Sequence, residues 1–116
     1  MPVELSASQA LGLWHDVSLA QVRSGEGDLT VRQLAILLHI YLRPPPHTVR
    51  GLAATLRVTK PVITRALDTM GEMGIVDRVR DDLDRRNVII KRTLAGALYL
   101  EKFGDLIIEK GRGLGS

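Results

Sequence analysis

The chain has 116 residues, enough for one domain with a hydrophobic core but little area to spare, and 45% of them are hydrophobic. It holds no cysteine, which excludes disulfides, thiolate metal sites and thiol-based redox sensing, and fits a reducing, cytoplasmic setting. Net charge is only +3, yet residues 50–92 carry ten Lys and Arg against six Asp and Glu, while the flanking segments come to minus one and zero. The positive excess is therefore confined to the middle of the chain, as nucleic-acid binding requires.

The opening MPVELSASQ has no basic-then-apolar leader pattern, and no apolar run approaches the ~20 residues of a membrane span, so a soluble intracellular protein is expected. Ser6-Ala7-Ser8-Gln9 reads as a capping box. It predicts a helix over 7–24 on Ala10, Leu13, Trp14, Val17 and Ala20, stopped by Gly25 and Gly27. Thr30-Val31-Arg32-Gln33 repeats the device, with Leu29 able to staple onto Leu34. The second helix runs on Val31, Leu34, Leu38 and Tyr41 until Pro44-Pro45-Pro46, which reads as a stiff connector rather than a polyproline ligand.

Thr48 then caps a short helix with Val49, Leu52, Ala53 and Leu56 on one face, Arg57-Val58-Thr59 make a turn, and Thr59 caps a longer helix to about Met73. This is helix-turn-helix spacing. In the second helix Ile63, Ala66, Leu67 and Met70 fall on the buried side, leaving Lys60, Pro61, Thr64, Arg65 and Asp68 outward. A hydroxyl, a guanidinium and an ammonium on the leading turns suit base-edge reading and phosphate contact. An ordinary amphipathic helix would show the same alternation; the charged segment next along the chain favours the DNA reading.

After Gly74, suited to a left-handed helix end, come a strand over 75–80 and a β-branched return strand over 87–92. Between them Asp81-Asp82-Leu83-Asp84-Arg85-Arg86 has five charged residues in six, so this tip projects into solvent, where two guanidiniums can reach phosphates or enter a narrow minor groove. A solvated hairpin turn is the plain alternative. A charged hairpin directly after a helix-turn-helix makes a winged helix: mainly α, with a small β-hairpin wing.

Thr93 caps a last helix carrying Leu94, Ala97, Leu98, Leu100, Phe103, Leu106, Ile107 and Ile108, more than one stripe can use. The first helix likewise shows Leu11, Trp14, Leu19 and Val22 beyond a single stripe. A homodimer joined through Leu11, Trp14, Leu19, Leu100, Phe103, Ile107 and Ile108 is expected, against a last helix packed only within its own domain. The organisation predicted is a single domain over 1–116, with dimerisation helices at 1–28 and 94–110, a DNA-binding core at 29–93 and a flexible tail at 111–116.

These residues resemble the MarR family of bacterial winged-helix regulators over roughly 29–100. The resemblance rests on Leu29-Thr30 with Gln33, Leu52-Ala53 with Leu56, Val58-Thr59, Thr64-Arg65 with Asp68, and Gly74-Ile75-Val76 with Arg78. Its most specific part is Asp84-Arg85-Arg86 followed by Thr93 and Gly96. It implies that Arg86 enters the minor groove, that Asp84 orients it by a salt bridge, and that Thr64, Arg65 and the turn at Thr59-Lys60 meet the major groove and its phosphates. A carboxylate two residues before a guanidinium in a tight turn can fix its rotamer, which agrees with that role. The DNA-contacting set expected is Thr48, Arg57, Thr59, Lys60, Pro61, Thr64, Arg65, Asp68, Arg78, Arg85 and Arg86, with the helix over 59–73 in the major groove and the wing over 81–87 in the minor groove. The last helix fades into Gly111-Arg112-Gly113-Leu114-Gly115-Ser116 where the family usually has longer terminal helices, which counts against a small-molecule effector site. The absence of cysteine excludes peroxide sensing.

The leading reading is a sequence-specific regulator of double-stranded DNA, a homodimer on an inverted repeat that represses by occluding a promoter. The competing reading is a winged-helix module that binds protein through its charged wing; steep salt dependence of DNA binding would separate the two. An enzyme is not expected. His15, His39 and His47 lack metal-ligand spacing, Asp81, Asp82 and Asp84 lack the glycine and distal glutamate of a calcium loop, and there is no phosphate loop or nucleophile motif. No cofactor or metal is called for.

Overall fold

A computed structural model describes residues 4–114. In chain order it contains α1 (Ala7–Arg23), α2 (Val31–Leu42), β1 (His47–Thr48), α3 (Val49–Leu56), α4 (Lys60–Glu72), β2 (Val76–Arg80), β3 (Val88–Arg92) and α5 (Leu94–Gly111). This is the winged helix-turn-helix expected from the sequence, mainly helical with a small antiparallel sheet. Both capping boxes form: Ser6 exchanges hydrogen bonds with Gln9, and Thr30 with Gln33. Of the predicted tail, residues 112–114 form a turn tied by Arg112 N–H to the Ile108 carbonyl and Leu114 N–H to the Gly111 carbonyl, while 115 and 116 lie outside the described residues. No helix among the described residues is long and apolar enough to cross a membrane.

The fold divides into two compact units, residues 29–100 and residues 1–28 with 101–116. In the first, Ile36, Leu37, Ile40, Leu52, Ile63, Leu67 and Met70 are almost wholly buried, joined by Val76 and Ile90 from the sheet and by Ile75 just before it. Burying each such side chain is worth ~1.5–3 kcal/mol, so this cluster holds the recognition elements in place. The buried face of α4 is the predicted one. That of α2 is not: Ile36, Leu37 and Ile40 are buried, whereas Val31 is 84% exposed. The helix is apolar on nearly every side, so spacing alone could not select its inner stripe.

The sheet has three strands rather than two, in the order β1-β3-β2. The extra strand is His47–Thr48, paired antiparallel with Ile90 and Ile89 of β3. Two residues after a run of prolines carry no alternation to detect. This strand fixes Thr48, whose hydroxyl accepts the Gly51 N–H at 2.9 Å and caps α3.

At the base of the wing the cation Arg92 serves the fold. Its Nε donates to the Ile40 carbonyl and its Nη2 to the Arg43 carbonyl, each at 2.8 Å, capping the end of α2 where positive charge is favoured. His47 Nε2 reaches the same Arg43 carbonyl at 3.1 Å, and the rings of His39 and His47 meet edge to face with centroids 5.4 Å apart. The fold thus brings together two of the three histidines, although no group of three or more metal-ligating side chains forms among the described residues.

In the other unit, Val17 and Phe103 are buried, at 1% and 7% exposure, and Lys102 pairs with Glu26 at 2.9 Å. Phe103 is therefore not surplus apolar surface, correcting its place among residues free to form an interface: its ring is already covered within the chain. Leu100 is half-buried against the core of residues 29–100, and Ile107 is half-buried. Leu11, Trp14, Leu19 and Ile108 stay exposed, at 71%, 52%, 37% and 56%.

Candidate nucleic-acid interface

The helix-turn-helix is joined through Arg57, which adopts a left-handed backbone (φ 59°, ψ 45°) and whose N–H closes α3. That conformation disfavours a side chain, so the turn carries strain to redirect the chain into α4. Thr59 occupies the N-cap position of α4 but, contrary to the sequence expectation, its hydroxyl caps nothing. The reason is local: Pro61 has no N–H to offer, and the Val62 N–H goes to the Thr59 carbonyl at 3.1 Å. The exposed hydroxyl is left available to an incoming ligand.

Along α4, Lys60, Pro61, Thr64, Arg65 and Asp68 are exposed, opposite buried Ile63, Ala66, Leu67 and Met70. Arg65 lines a groove of about 260 Å³ with Thr30 and Arg32 from the start of α2. Asp68 and Arg78 neutralise each other: Arg78 Nη1 lies 2.8 Å from Asp68 Oδ1, tying α4 to β2. Exposed pairs of this kind contribute little to stability. The pair links α4 to β2 while both side chains remain partly exposed.

The wing is built by hydrogen bonds within its own turn. Asp81 N–H donates to the Asn87 carbonyl at 3.1 Å and Asn87 N–H to the Asp84 carbonyl at 2.9 Å, closing the loop, while the Asp81 carboxylate takes the Leu83 N–H at 2.9 Å. Asp84 holds Arg86 three ways: Oδ1 accepts the backbone N–H and Nε, each at 3.1 Å, and Oδ2 accepts Nη2 at 3.3 Å. The Arg86 guanidinium beside it, with that residue's backbone N–H and the charge of Arg50 helping, keeps the Asp84 carboxyl below the usual carboxylate range. Arg86 itself is 86% exposed, so its cation is oriented yet open to solvent. Leu83 and Arg85 are also exposed.

Sequence reasoning missed three residues here. Arg80 Nη1 donates to the Arg85 carbonyl at 2.8 Å and bridges the base of the wing to its tip, a contact across five residues that no periodicity reports. Asn87 closes the turn through its backbone. Arg50, in the first turn of α3, faces the wing. A cation at the positive end of a helix is misplaced for stability, which is a signal legible in the sequence. Arg50, Lys60, Thr64, Arg86 and Asn87 all line one cleft of about 160 Å³, so α3, α4 and the wing meet there.

The sequence model of the MarR family matches residues 27–87. Among solved structures, a substituted form of MepR from S. aureus bound to an oligodeoxyribonucleotide is 23% identical, with a TM-score of 0.75 over 96% of this chain and 83% of that one. A crystal structure of MarR is 24% identical, with a TM-score of 0.70 over 97% and 84%. FabT from Streptococcus pneumoniae in complex with DNA is 24% identical, with a TM-score of 0.67 over 94% and 76%. At these identities the likeness shows the fold. No curated protein sequence matches the chain.

Proposed function

Because the chain belongs to the MarR family, we propose that it is a transcriptional regulator that binds double-stranded DNA, with α4 in the major groove and the wing in the minor groove. The observation that carries this is the cleft in which Lys60 and Thr64 of α4 stand opposite Arg86 of the wing. A recognition helix and a projecting cation are adjacent, as two neighbouring grooves of one duplex demand. The presence of DNA in the FabT structure and of an oligodeoxyribonucleotide in the MepR structure supports the same reading.

In finer detail, Thr64 and Arg65 read base edges, Thr48, Arg57, Thr59 and Lys60 approach phosphates, and Arg86, held by Asp84, enters a narrow minor groove. Asp68 and Arg78 stiffen the connection between them. The protein acts as a homodimer on an inverted repeat, and occupying that duplex is sufficient to repress transcription by keeping polymerase off it.

Selection of bound duplexes from a random pool tests the whole reading. The expected product is two related half-sites about one helical turn apart. Arg65→Ala should then cost ~1–3 kcal/mol at one base pair if the guanidinium reads guanine, or weaken all sequences alike if it grips phosphate. A pool that yields no enriched sequence and no salt-dependent binding would leave the wing as a protein-binding edge instead.

A further inference from the structure

The cleft between α3, α4 and the wing, about 160 Å³, collects Arg50, Lys60 and Arg86 from three separate elements, with Thr64 and Asn87 beside them and no carboxylate in its lining. Like charges gathered in one small concavity repel unless an anion sits among them. Two of these cations also stand where they weaken their own helices: Arg50 in the first turn of α3 and Lys60 in the first turn of α4, at the positive helix ends that favour carboxylates. Arg86 has its partner in Asp84, whereas the Arg50 guanidinium and the Lys60 ammonium have no hydrogen bond or ion pair among the described residues. Arg50 acts on the Asp84 carboxyl through its charge alone, and neither cation has a direct partner among the described residues.

We propose that this cleft is the seat of one backbone phosphodiester of the bound duplex, with Arg50 as its principal clamp and Lys60, Thr64 and Asn87 as further donors. The inference rests on the DNA-binding reading and extends it to a site and to two residues, Arg50 and Asn87, outside the expected contact set. The geometry gives the reason. If α4 lies in the major groove and the wing in the adjacent minor groove, the strand separating those grooves must pass between them, and the cleft is the gap between them. A phosphate held there sets the register of both readers at once, so Arg50 positions without carrying sequence information. Its guanidinium can hold two phosphate oxygens together.

Affinity should be measured with the full chain and its Arg50→Ala and Arg50→Lys variants, as a function of salt, on a duplex selected from a random pool. Arg50→Ala is expected to weaken binding to all sequences alike and to lower the slope of log affinity against log salt by about one per half-site. Its deficit per site therefore shrinks roughly threefold between 50 and 200 mM salt. Arg50→Lys should keep the slope. Replacing single phosphates by uncharged methylphosphonate should reveal one position per half-site where the unmodified chain loses clearly more affinity than Arg50→Ala does, the remainder being the share of Lys60, Thr64 and Asn87. Arg50 is also near enough to Asp84 to influence its charge. An unchanged salt slope with preference lost only at A·T-rich flanks would make Arg50 a wing-positioning residue and overturn the phosphate seat. Unchanged affinity for Arg50→Ala beside weakened Arg65→Ala and Arg86→Ala would overturn the proposal and leave the DNA reading standing. If no duplex binds at all, both fall together.

Discussion

The phenolic oxygen of Tyr41 occupies the space that a Cβ on Gly96 would need, and the Ile75 carbonyl crowds the same point. Tyr41 donates toward the Ile75 carbonyl at 2.8 Å and accepts the Thr93 N–H at 2.9 Å, so one hydroxyl ties α2 to the start of β2 and the start of α5. Thr93 completes the junction: its hydroxyl donates to the Gly74 carbonyl at 2.7 Å and accepts the Gly96 N–H at 3.0 Å. The Thr-x-x-Gly spacing after the wing is thus a packing requirement. Gly96→Ala should destabilise the fold by at least the ~1–3 kcal/mol of an overpacked site, read as a lower urea midpoint. Tyr41→Phe in the same chain should fail to rescue it, because the Tyr41 ring carbon at 2.7 Å and the Ile75 carbonyl remain in the way. Full rescue would mean that the phenolic oxygen alone enforces glycine.

Arg57 predicts opposite effects on stability and binding. Its left-handed backbone costs an L-residue ~1–2 kcal/mol, while glycine gives back ~0.5–1 kcal/mol in unfolded-chain entropy, so Arg57→Gly should stabilise the fold by about 0.5–1 kcal/mol. DNA affinity should fall at the same time through loss of a cation beside α4. A rise in melting temperature without any loss of affinity would remove Arg57 from the interface.

Asp84 and Arg86 separate orientation from charge. Arg86→Ala should weaken binding most on A·T-rich flanks, where a narrow minor groove concentrates negative potential. Asp84→Asn removes a negative charge near the duplex, so affinity for arbitrary sequence should rise at low salt, while the preference for A·T-rich flanks declines as Arg86 loses its anchor. Arg86 holds the Asp84 carboxyl below its ordinary range, so the lock is present at neutral pH and is lost only as pH falls through that lowered value. Equal loss on all sequences for Asp84→Asn would argue against an orienting role.

Much of the candidate site's local geometry was legible in the sequence because its signals are short-range. The α4 stripe Ile63, Ala66, Leu67, Met70 has a clean helical period with polar residues opposite, and the Asp84–Arg86 pair spans two residues in one turn. What escaped depends on partners distant in sequence or on uniform composition. The inner face of α2 was hidden by apolar residues all round, and the His47–Thr48 strand exists only because β3 offers it an edge. The role of Arg92 depends on carbonyls some fifty residues earlier, and the burial of Phe103 could not be weighed from a count of apolar residues.

His39 gives the fold a pH dependence. Partial burial, then the charges of His47 and Arg43, lower its pKa from 6.5, outweighing the helix C-terminus that would favour the cation. As pH falls the unfolded chain takes up this proton before the folded one. The stability due to neutral His39 is therefore complete above pH 6.5 and declines below it. Urea midpoints measured from pH 7.5 down to 5.5 should fall, and His39→Gln should flatten the curve. A midpoint that rises on acidification would show that another group dominates.

Binding two half-sites would require the protein to self-associate. In the unit formed by residues 1–28 and 101–116, Leu11, Trp14, Val22 and Ile108 are 71%, 52%, 63% and 56% exposed. Single exposed apolar residues are ordinary, but four of them, one an indole, in so small a unit suggest surface awaiting a copy of itself. Burial of each is worth ~1.5–3 kcal/mol, enough together to offset part of the cost of association. Trp14→Glu with Ile108→Glu should give folded monomers with unchanged helical circular dichroism and much weaker binding to a two-half-site duplex, because each half-site loses the effective concentration its partner provides. Phe103→Glu should behave differently: its ring is buried within the chain, so that variant should unfold rather than dissociate. Sedimentation equilibrium showing a well-folded monomer for the unmodified chain across micromolar concentrations would remove the dimer, and with it the inverted-repeat operator.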